Sequence, residues 1–173
     1  MILTFCTKDP GPVVKGVTDN YLSGEGVFIL NEGNFRTGNG SLSFFSYDSS
    51  KMFNKVFLKV NNRMLGDIPY SMAFSRGKAY IVVNNSGKIE VVDGNTMESV
   101  VTINKLSSPR YISFPTDRKA YITSLYSDSI TIIDTEKDKI TGYINMKHSS
   151  ETIIPCENEA YVACWAGGNK IFV

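Results

Sequence analysis

The sequence holds a single histidine, a single tryptophan and three cysteines in 173 residues, and each scarcity removes a class of chemistry. His148 lies in a polar loop between Lys147 and Ser149 and reads as a solvated side chain, not as a base or a metal ligand. No G-x-S-x-G, H-E-x-x-H or phosphate-loop pattern occurs, so nucleophilic, zinc and phosphoryl chemistry lack their usual parts. No catalytic residue, metal or cofactor is expected. The formal net charge is +1 with Lys and Arg scattered, which gives no electrostatic footprint for nucleic acid. Apolar runs stay short of the roughly eighteen residues that a membrane-spanning helix needs. Apolar spacing at i, i+3, i+4, i+7 is not sustained anywhere, which argues against helices.

The cysteines do not form a framework. Cys156 and Cys164 flank a predicted hairpin at unequal distances from its turn, and neither belongs to a C-x-x-C pair, so both are expected as buried free thiols. Cys6 differs. It follows Ile2-Leu3-Thr4-Phe5 and precedes Thr7-Lys8-Asp9-Pro10. Two readings stand: the lipidated cysteine of a bacterial lipoprotein whose leader is cut short by a start placed too far downstream, or an ordinary N-terminus. Asp9 to Gly24, with Pro10, Gly11 and Pro12, reads as a tether, so residues 1–25 are assigned to leader and tether.

What the sequence has is repetition. Lys78 to Asp93 reads as a β-hairpin, with an apolar run at Ala79 to Val83, a turn cluster at Asn84-Asn85-Ser86-Gly87 and a second run ending at Val91-Val92-Asp93. The same figure returns with Tyr80 matched by Tyr121 and Asp93 by Asp134. A further copy starts at Tyr161, and an earlier, longer one spans Val27 to Asp48. Copies spaced near forty residues define a repeat architecture.

The predicted strands are Gly26 to Leu30, Ser41 to Tyr47, Met52 to Val60, Tyr70 to Ser75, 78 to 84, 88 to 93 and Met97 to Asn104. They continue with Arg110 to Phe114, Ala120 to Thr123, Ser129 to Asp134, Lys139 to Asn145, Thr152 to Pro155, Ala160 to Cys164 and Lys170 to Val173. The expected fold class is all-β. A four-stranded antiparallel unit, strands A to D, recurring at this period is the signature of a β-propeller blade, whose inner strands are apolar on both faces because blades pack on either side. A β-sandwich would not need similar units, and solenoid repeats are usually shorter. Residues 26–173 then divide into a partial blade at 26–60, blades at 70–104 and 110–145, and an incomplete blade at 151–173.

The segment P-Y-S-M-A-F-S-R-G-K-A-Y-I-V-V-N-N-S-G-K-I-E-V-V-D resembles the YVTN or YncE-like propeller repeat, with Pro109 and Phe114 matching Pro69 and Phe74. The opening G-V-F-I-L-N-E-G-N-F, with N-G-S-L-S-F-F close behind, resembles the start of the mature domain in surface lipoproteins of Bacteroides-type bacteria. These include the BtuG-type cobalamin-binding propellers that sit over a TonB-dependent transporter. The resemblance implies an outer-membrane, cell-surface location, a corrinoid ligand and such a transporter as partner. It also implies a ring of seven blades, of which the fourteen predicted strands make about three and a half, an open arc.

In a propeller the B-to-C and D-to-A loops share one face. The B-to-C loops here carry Asn31, Glu32, Asn34, Phe35 and Arg36, then Asn84 and Asn85, then Tyr126, then Trp165. Strand A opens with Tyr70, Arg110 and Glu151 at matched positions. An aromatic platform ringed by amides suits a large, mostly uncharged polar ligand, and these twelve residues are the candidate ligand site. Asn and Gly also serve plain turn chemistry, and an aromatic can cap the core beneath it. Asp48, Asp93 and Asp134, at the ends of strand C, are expected as turn formers on the opposite face. Two alternatives to ligand capture remain: a scaffold for protein or cell-surface contacts, and a hydrolase such as a lactonase whose active residues lie in further blades.

Overall fold

The computed structural model describes residues 24–157, 159–164 and 171–173. Cys6 and Trp165 lie outside the described residues. The chain forms a succession of antiparallel meanders. The first sheet comprises β1 (Gly26–Asn31), β2 (Ser41–Ser46) and β3 (Lys51–Phe53), and is followed by a short helix, α1 (Val56–Asn61). The second comprises β4 (Pro69–Ser75), β5 (Lys78–Val83), β6 (Lys88–Asp93) and β7 (Ser99–Ile103). The third comprises β8 (Pro109–Thr116), β9 (Lys119–Ser124), β10 (Ser129–Asp134) and β11 (Lys139–Asn145). The fourth has β12 (Ile153–Cys156), β13 (Glu159–Ala163) and β14 (Ile171–Phe172). Within every sheet the strands pair in chain order.

Strand β5 shows why the sheets stack. Its side chains alternate between faces, as any strand's do, yet Ala79, Tyr80, Ile81, Val82 and Val83 are all buried. Ala79, Ile81 and Val83 pack towards the first sheet with Leu42 and Phe44. Tyr80 and Val82 pack towards the third with Ile112 and Ile122. Ile130 of the third sheet meets Ile153 and Val162 of the fourth. Each sheet therefore closes the core of its neighbours. Fully burying one such aliphatic side chain stabilises by about 1.5–3 kcal/mol.

Polar ties reinforce the stack. Tyr80 Oη donates to Asp138 Oδ1 at 2.8 Å, and Lys78 Nζ to Asp138 Oδ2 at 2.6 Å, from the second sheet to the third. Glu90, fully buried, receives Arg63 Nη2 at 2.5 Å and Lys88 Nζ at 3.1 Å. The Arg63 guanidinium also lies over the Phe57 ring, which pins the segment after α1 to the first junction.

Three expectations are corrected. Met52 to Val60 is not one strand. β3 stops at Phe53, Lys55 turns left-handed (φ 57°), and α1 turns Val56 and Phe57 into the first core cluster. Neither cysteine reaches the core: Cys156 is exposed and Cys164 half-buried, because Cys156 is the last residue of β12 and Cys164 follows the last residue of β13, both at strand ends outside the packed rows. His148 is not simply solvated; it is half-buried and its ring tilts against Phe172, with centroids 5.3 Å apart.

Candidate functional site

The loops before β4, β8 and β12 set three side chains at one end of the inner strands. Proline at the first position of β4 and β8 leaves no ladder hydrogen bond unmade, because an inner edge strand needs no donor there. Tyr70 and Arg110 follow these prolines directly, and Glu151 occupies the same place in the fourth repeat. The backbones of the last two are held from the neighbouring sheet: Ser71 Oγ donates to the Arg110 carbonyl at 2.6 Å, and Thr123 Oγ1 to the Glu151 carbonyl at 2.6 Å.

The three side chains meet. Arg110 donates from Nε to Glu151 Oε2 at 2.8 Å and from Nη2 to Oε1 at 2.6 Å, a bidentate pair of the kind that fixes orientation as well as energy. Nη2 also lies 2.6 Å from Tyr70 Oη, which donates to Glu151 Oε1 at 2.9 Å. The guanidinium carbon stands 3.5 Å from the Tyr70 ring centroid, a cation–π stack, and Tyr111 meets that ring edge-on at 5.4 Å. Burial, then the hydrogen bond to Glu151, pushes the Tyr70 hydroxyl well above the usual phenol range, so it remains a donor. Burial alone would weaken the charge on Arg110, but Glu151 outweighs it and raises the guanidinium pKa. Among the described residues Arg110 Nη1 has no hydrogen-bond partner.

A second knot lies beside the first loops. Asp67 Oδ2 accepts the backbone N–H of Arg36 at 2.9 Å and the Asn85 amide, while the Asp67 N–H donates to Ser86 Oγ at 2.9 Å. Asp67 thus joins the loop before β4 to the β1–β2 and β5–β6 loops, which places all three on one face. Its Oδ1 is buried and accepts nothing among the described residues. Arg36 needs this anchor because it sits in the left-handed region at φ 63°. Gly66 next to it has φ 134°, and a Cβ there would stand 2.7 Å from Ser86 Oγ.

The remaining candidates divide by what their side chains already do. Asn84 is buried and its amide donates to the Pro109 carbonyl at 2.9 Å, so it clips two sheets together and is not available to a ligand. Asn31 is exposed, with its amide 3.1 Å from Ser43 Oγ, and Asn34 acts through its backbone, accepting from Thr37 Oγ1 at 2.7 Å. Glu32 is exposed. Phe35 is 62% and Tyr126 78% exposed, and the Arg36 guanidinium lies 5.1 Å over the Phe35 ring. The structure therefore joins Tyr70, Arg110 and Glu151 in one cluster and ties Arg36 and Asn85 in another, both at the same end of the sheets. On the opposite end, Asp93 Oδ1 accepts the N–H of Asn95 and Thr96, and Asp134 Oδ1 those of Glu136 and Lys137. Those backbone bonds lower both carboxyl pKa values. They are turn formers, as their position in the repeat suggested.

Four meander sheets stacked face to face, with strand openings that converge on one polar cluster, define a partial β-propeller. A family model matches residues 25–173, and the chain belongs to that family, DUF5074, a domain of unknown function. Solved structures agree on the fold. Hydrazine synthase of Kuenenia stuttgartiensis is 18% identical with TM-score 0.65, covering 84% of this chain and 41% of that one. A quinonprotein alcohol dehydrogenase-like protein of Bacteroides thetaiotaomicron is 14% identical with TM-score 0.65, covering 83% and 34%. The extracellular domain of BT3049 from B. thetaiotaomicron, by its description part of a hybrid two-component system, is 15% identical with TM-score 0.61, covering 86% and 19%. The chain thus spans less than half the length of each. No curated protein matches it.

Proposed function

We propose that this chain is part of a non-catalytic, ligand-capturing propeller on the bacterial cell surface, anchored through Cys6, that binds a corrinoid and passes it to a TonB-dependent outer-membrane transporter. The observation that carries the reading is the loop face itself. Two large aromatics, Phe35 and Tyr126, stand exposed at loop tips, where turn geometry does not require them, at the end of the sheets that also presents Arg110 Nη1. Such a face offers apolar area for a broad ligand and a small number of fixed polar contacts. The resemblance of the opening segment to corrinoid-binding surface lipoproteins supplies the ligand class, and the extracellular description of BT3049 accords with the location. In this reading further blades complete the ring.

The test is calorimetric titration of cobalamin into the protein. An aromatic anchor buried on binding is worth about 2 kcal/mol or more, so Tyr126→Ala and Trp165→Ala should each weaken binding about thirtyfold, while Asp93→Ala on the opposite face leaves it unchanged. No heat with any corrinoid removes the capture reading. Loss on Asp93→Ala with retention in the aromatic variants assigns the ligand to the other face.

A further inference from the structure

The second and third sheets enclose a cavity of about 90 Å³ at the loop end of their junction, between the segment from Lys105 to Pro109 and strands β9 to β11. Its lining includes Ile122, Ser127, Thr131 and Tyr143. The repeat shows what stands at the same place one junction earlier. Glu90 of β6 pairs with Ile81 and Thr102, and Thr131 of β10 pairs with Ile122 and Tyr143. Glu90 and Thr131 are therefore equivalent. Each shares a face with its cross-strand isoleucine, and Ile81 and Ile122 both pack towards the preceding sheet. At the first junction the Glu90 carboxylate is the centre of a polar cluster. Arg63 Nη2 and Ser99 Oγ donate to it at 2.5 Å, Lys88 Nζ at 3.1 Å and Thr102 Oγ1 at 3.2 Å. At the second junction the shorter Thr131 brings no carboxylate, and the cavity lies there.

We propose that this cavity binds the carboxylate of a small ligand, which takes the place that the Glu90 side chain fills one repeat earlier. Thr131 is 8% exposed, and among the described residues its hydroxyl has no hydrogen-bond partner. A buried hydroxyl is costly to leave unpaired. Lys105 lines the same cavity and makes no ion pair among the described residues. Its ammonium only donates, and the hydroxyls of Ser127, Thr131 and Tyr143 are each able to donate. No Asp or Glu belongs to the lining. The Ser107 carbonyl, an acceptor in the wall, already receives Ser124 Oγ. Asp128, outside the lining, is exposed and accepts Ser129 Oγ at 3.1 Å. The cavity thus offers donors and one positive charge beside the apolar Ile122, a setting in which charge-assisted hydrogen bonds hold an anionic oxygen. By volume it holds about three waters, room for a short aliphatic acid or for the carboxylate end of a larger one. The inference does not rest on the corrinoid reading.

Amide-resolved NMR of the 173-residue chain, titrated with sodium acetate and sodium propionate against sodium chloride at equal ionic strength, tests it. The amides of Ile122, Ser127, Thr131 and Tyr143 should shift saturably with a millimolar Kd, and chloride should leave them in place. Lys105→Gln and Thr131→Val should each weaken binding about tenfold, the loss of one hydrogen bond to a charged group. Thr131→Glu combined with Asn104→Arg, at the repeat position of Arg63, ties a carboxylate into the cavity and should abolish the acetate shifts with the circular dichroism spectrum unchanged. Lys105 is exposed, so Lys105→Gln decides the matter should the double variant fail to fold. Tighter binding of acetate than of N-acetylglycine supports a free short-chain acid as ligand; the reverse supports a carboxylate carried on a larger molecule. Absence of saturable shifts with any of these acids overturns the inference. An equal response to chloride or inorganic phosphate shows an adventitious ion only and overturns it too. So does acetate binding that neither Lys105→Gln nor Thr131→Val weakens.

Discussion

Replacing Glu151 by Gln tests whether the inner cluster ties three sheets or only decorates them. The substitution keeps shape and removes the charge that two Arg110 N–H groups and the Tyr70 hydroxyl address at 2.6–2.9 Å. Arg110 and Glu151 side chains are only 13% and 14% exposed, so water cannot readily replace the lost acceptor. Breaking one partner of a buried pair costs about 3–5 kcal/mol, and a neutral amide that retains part of the hydrogen bonding brings this to about 2–3 kcal/mol. In a chain of this size that corresponds to a fall in Tm of about 4–12 °C. Urea unfolding of wild type, Glu151→Gln, Arg110→Met and the double variant closes a cycle. The coupling expected is about 1–3 kcal/mol. A coupling within about 0.3 kcal/mol of zero would mean that the cluster holds nothing together and that its contacts form at no gain in stability.

The carboxyl of Glu90 gives a pH signature. Burial opposes its ionisation, but the hydrogen bonds from Arg63 and Ser99 and the charge of Lys88 outweigh this and hold the pKa below its ordinary 4.5. A depressed folded pKa contributes stability that is fully present above about pH 4.5 and is lost as pH falls through the folded value. Glu90→Gln should therefore lower stability at neutral pH and flatten part of the decline in urea midpoint below pH 4.5; equal slopes in the two proteins would contradict the assignment. Gly66→Ala, at φ 134° with its Cβ 2.7 Å from Ser86 Oγ, should cost about 1–3 kcal/mol and release the Arg36 loop, seen as faster proteolysis between β1 and β2. Unchanged cleavage there would show that Asp67 does not hold the loop.

The repeat was legible because each blade must bury both faces of its inner strands, so the pattern at Ala79 to Val83 recurs wherever a sheet has two neighbours. The segment Met52 to Val60 misled for a physical reason. Its apolar residues lie too close together to show either period, and a helix of six residues is too short for helical spacing to emerge. The left-handed Lys55 that starts it carries no glycine to mark it. Tyr70, Arg110 and Glu151 were recognisable as equivalent positions, but not as partners of one another, since nothing in three matched places says that unlike side chains will close a cluster. Asn84 illustrates the opposite limit. The same amide that suits a ligand also suits the Pro109 carbonyl of the next sheet, and only packing decides between them. Asp67 left no signal, because its partners lie 18 and 31 positions away and share no motif with it.

The ties from Ser71 to the Arg110 carbonyl, from Asn84 to the Pro109 carbonyl and from Tyr80 to Asp138 all run from one sheet to the next. Cohesion of that kind is nearest-neighbour, as in a one-dimensional array, with an opening free energy that depends on how many flanks a unit has. Amides of β5, β6 and β9, flanked on both sides, should exchange with solvent deuterium only on global opening. Among the described residues β13 and β14 pack against the third sheet alone, so their amides should exchange through local opening at a cost set by that junction. Exchange rates at Tyr161 and Val162 therefore report directly on whatever lies against the outer face of the fourth sheet.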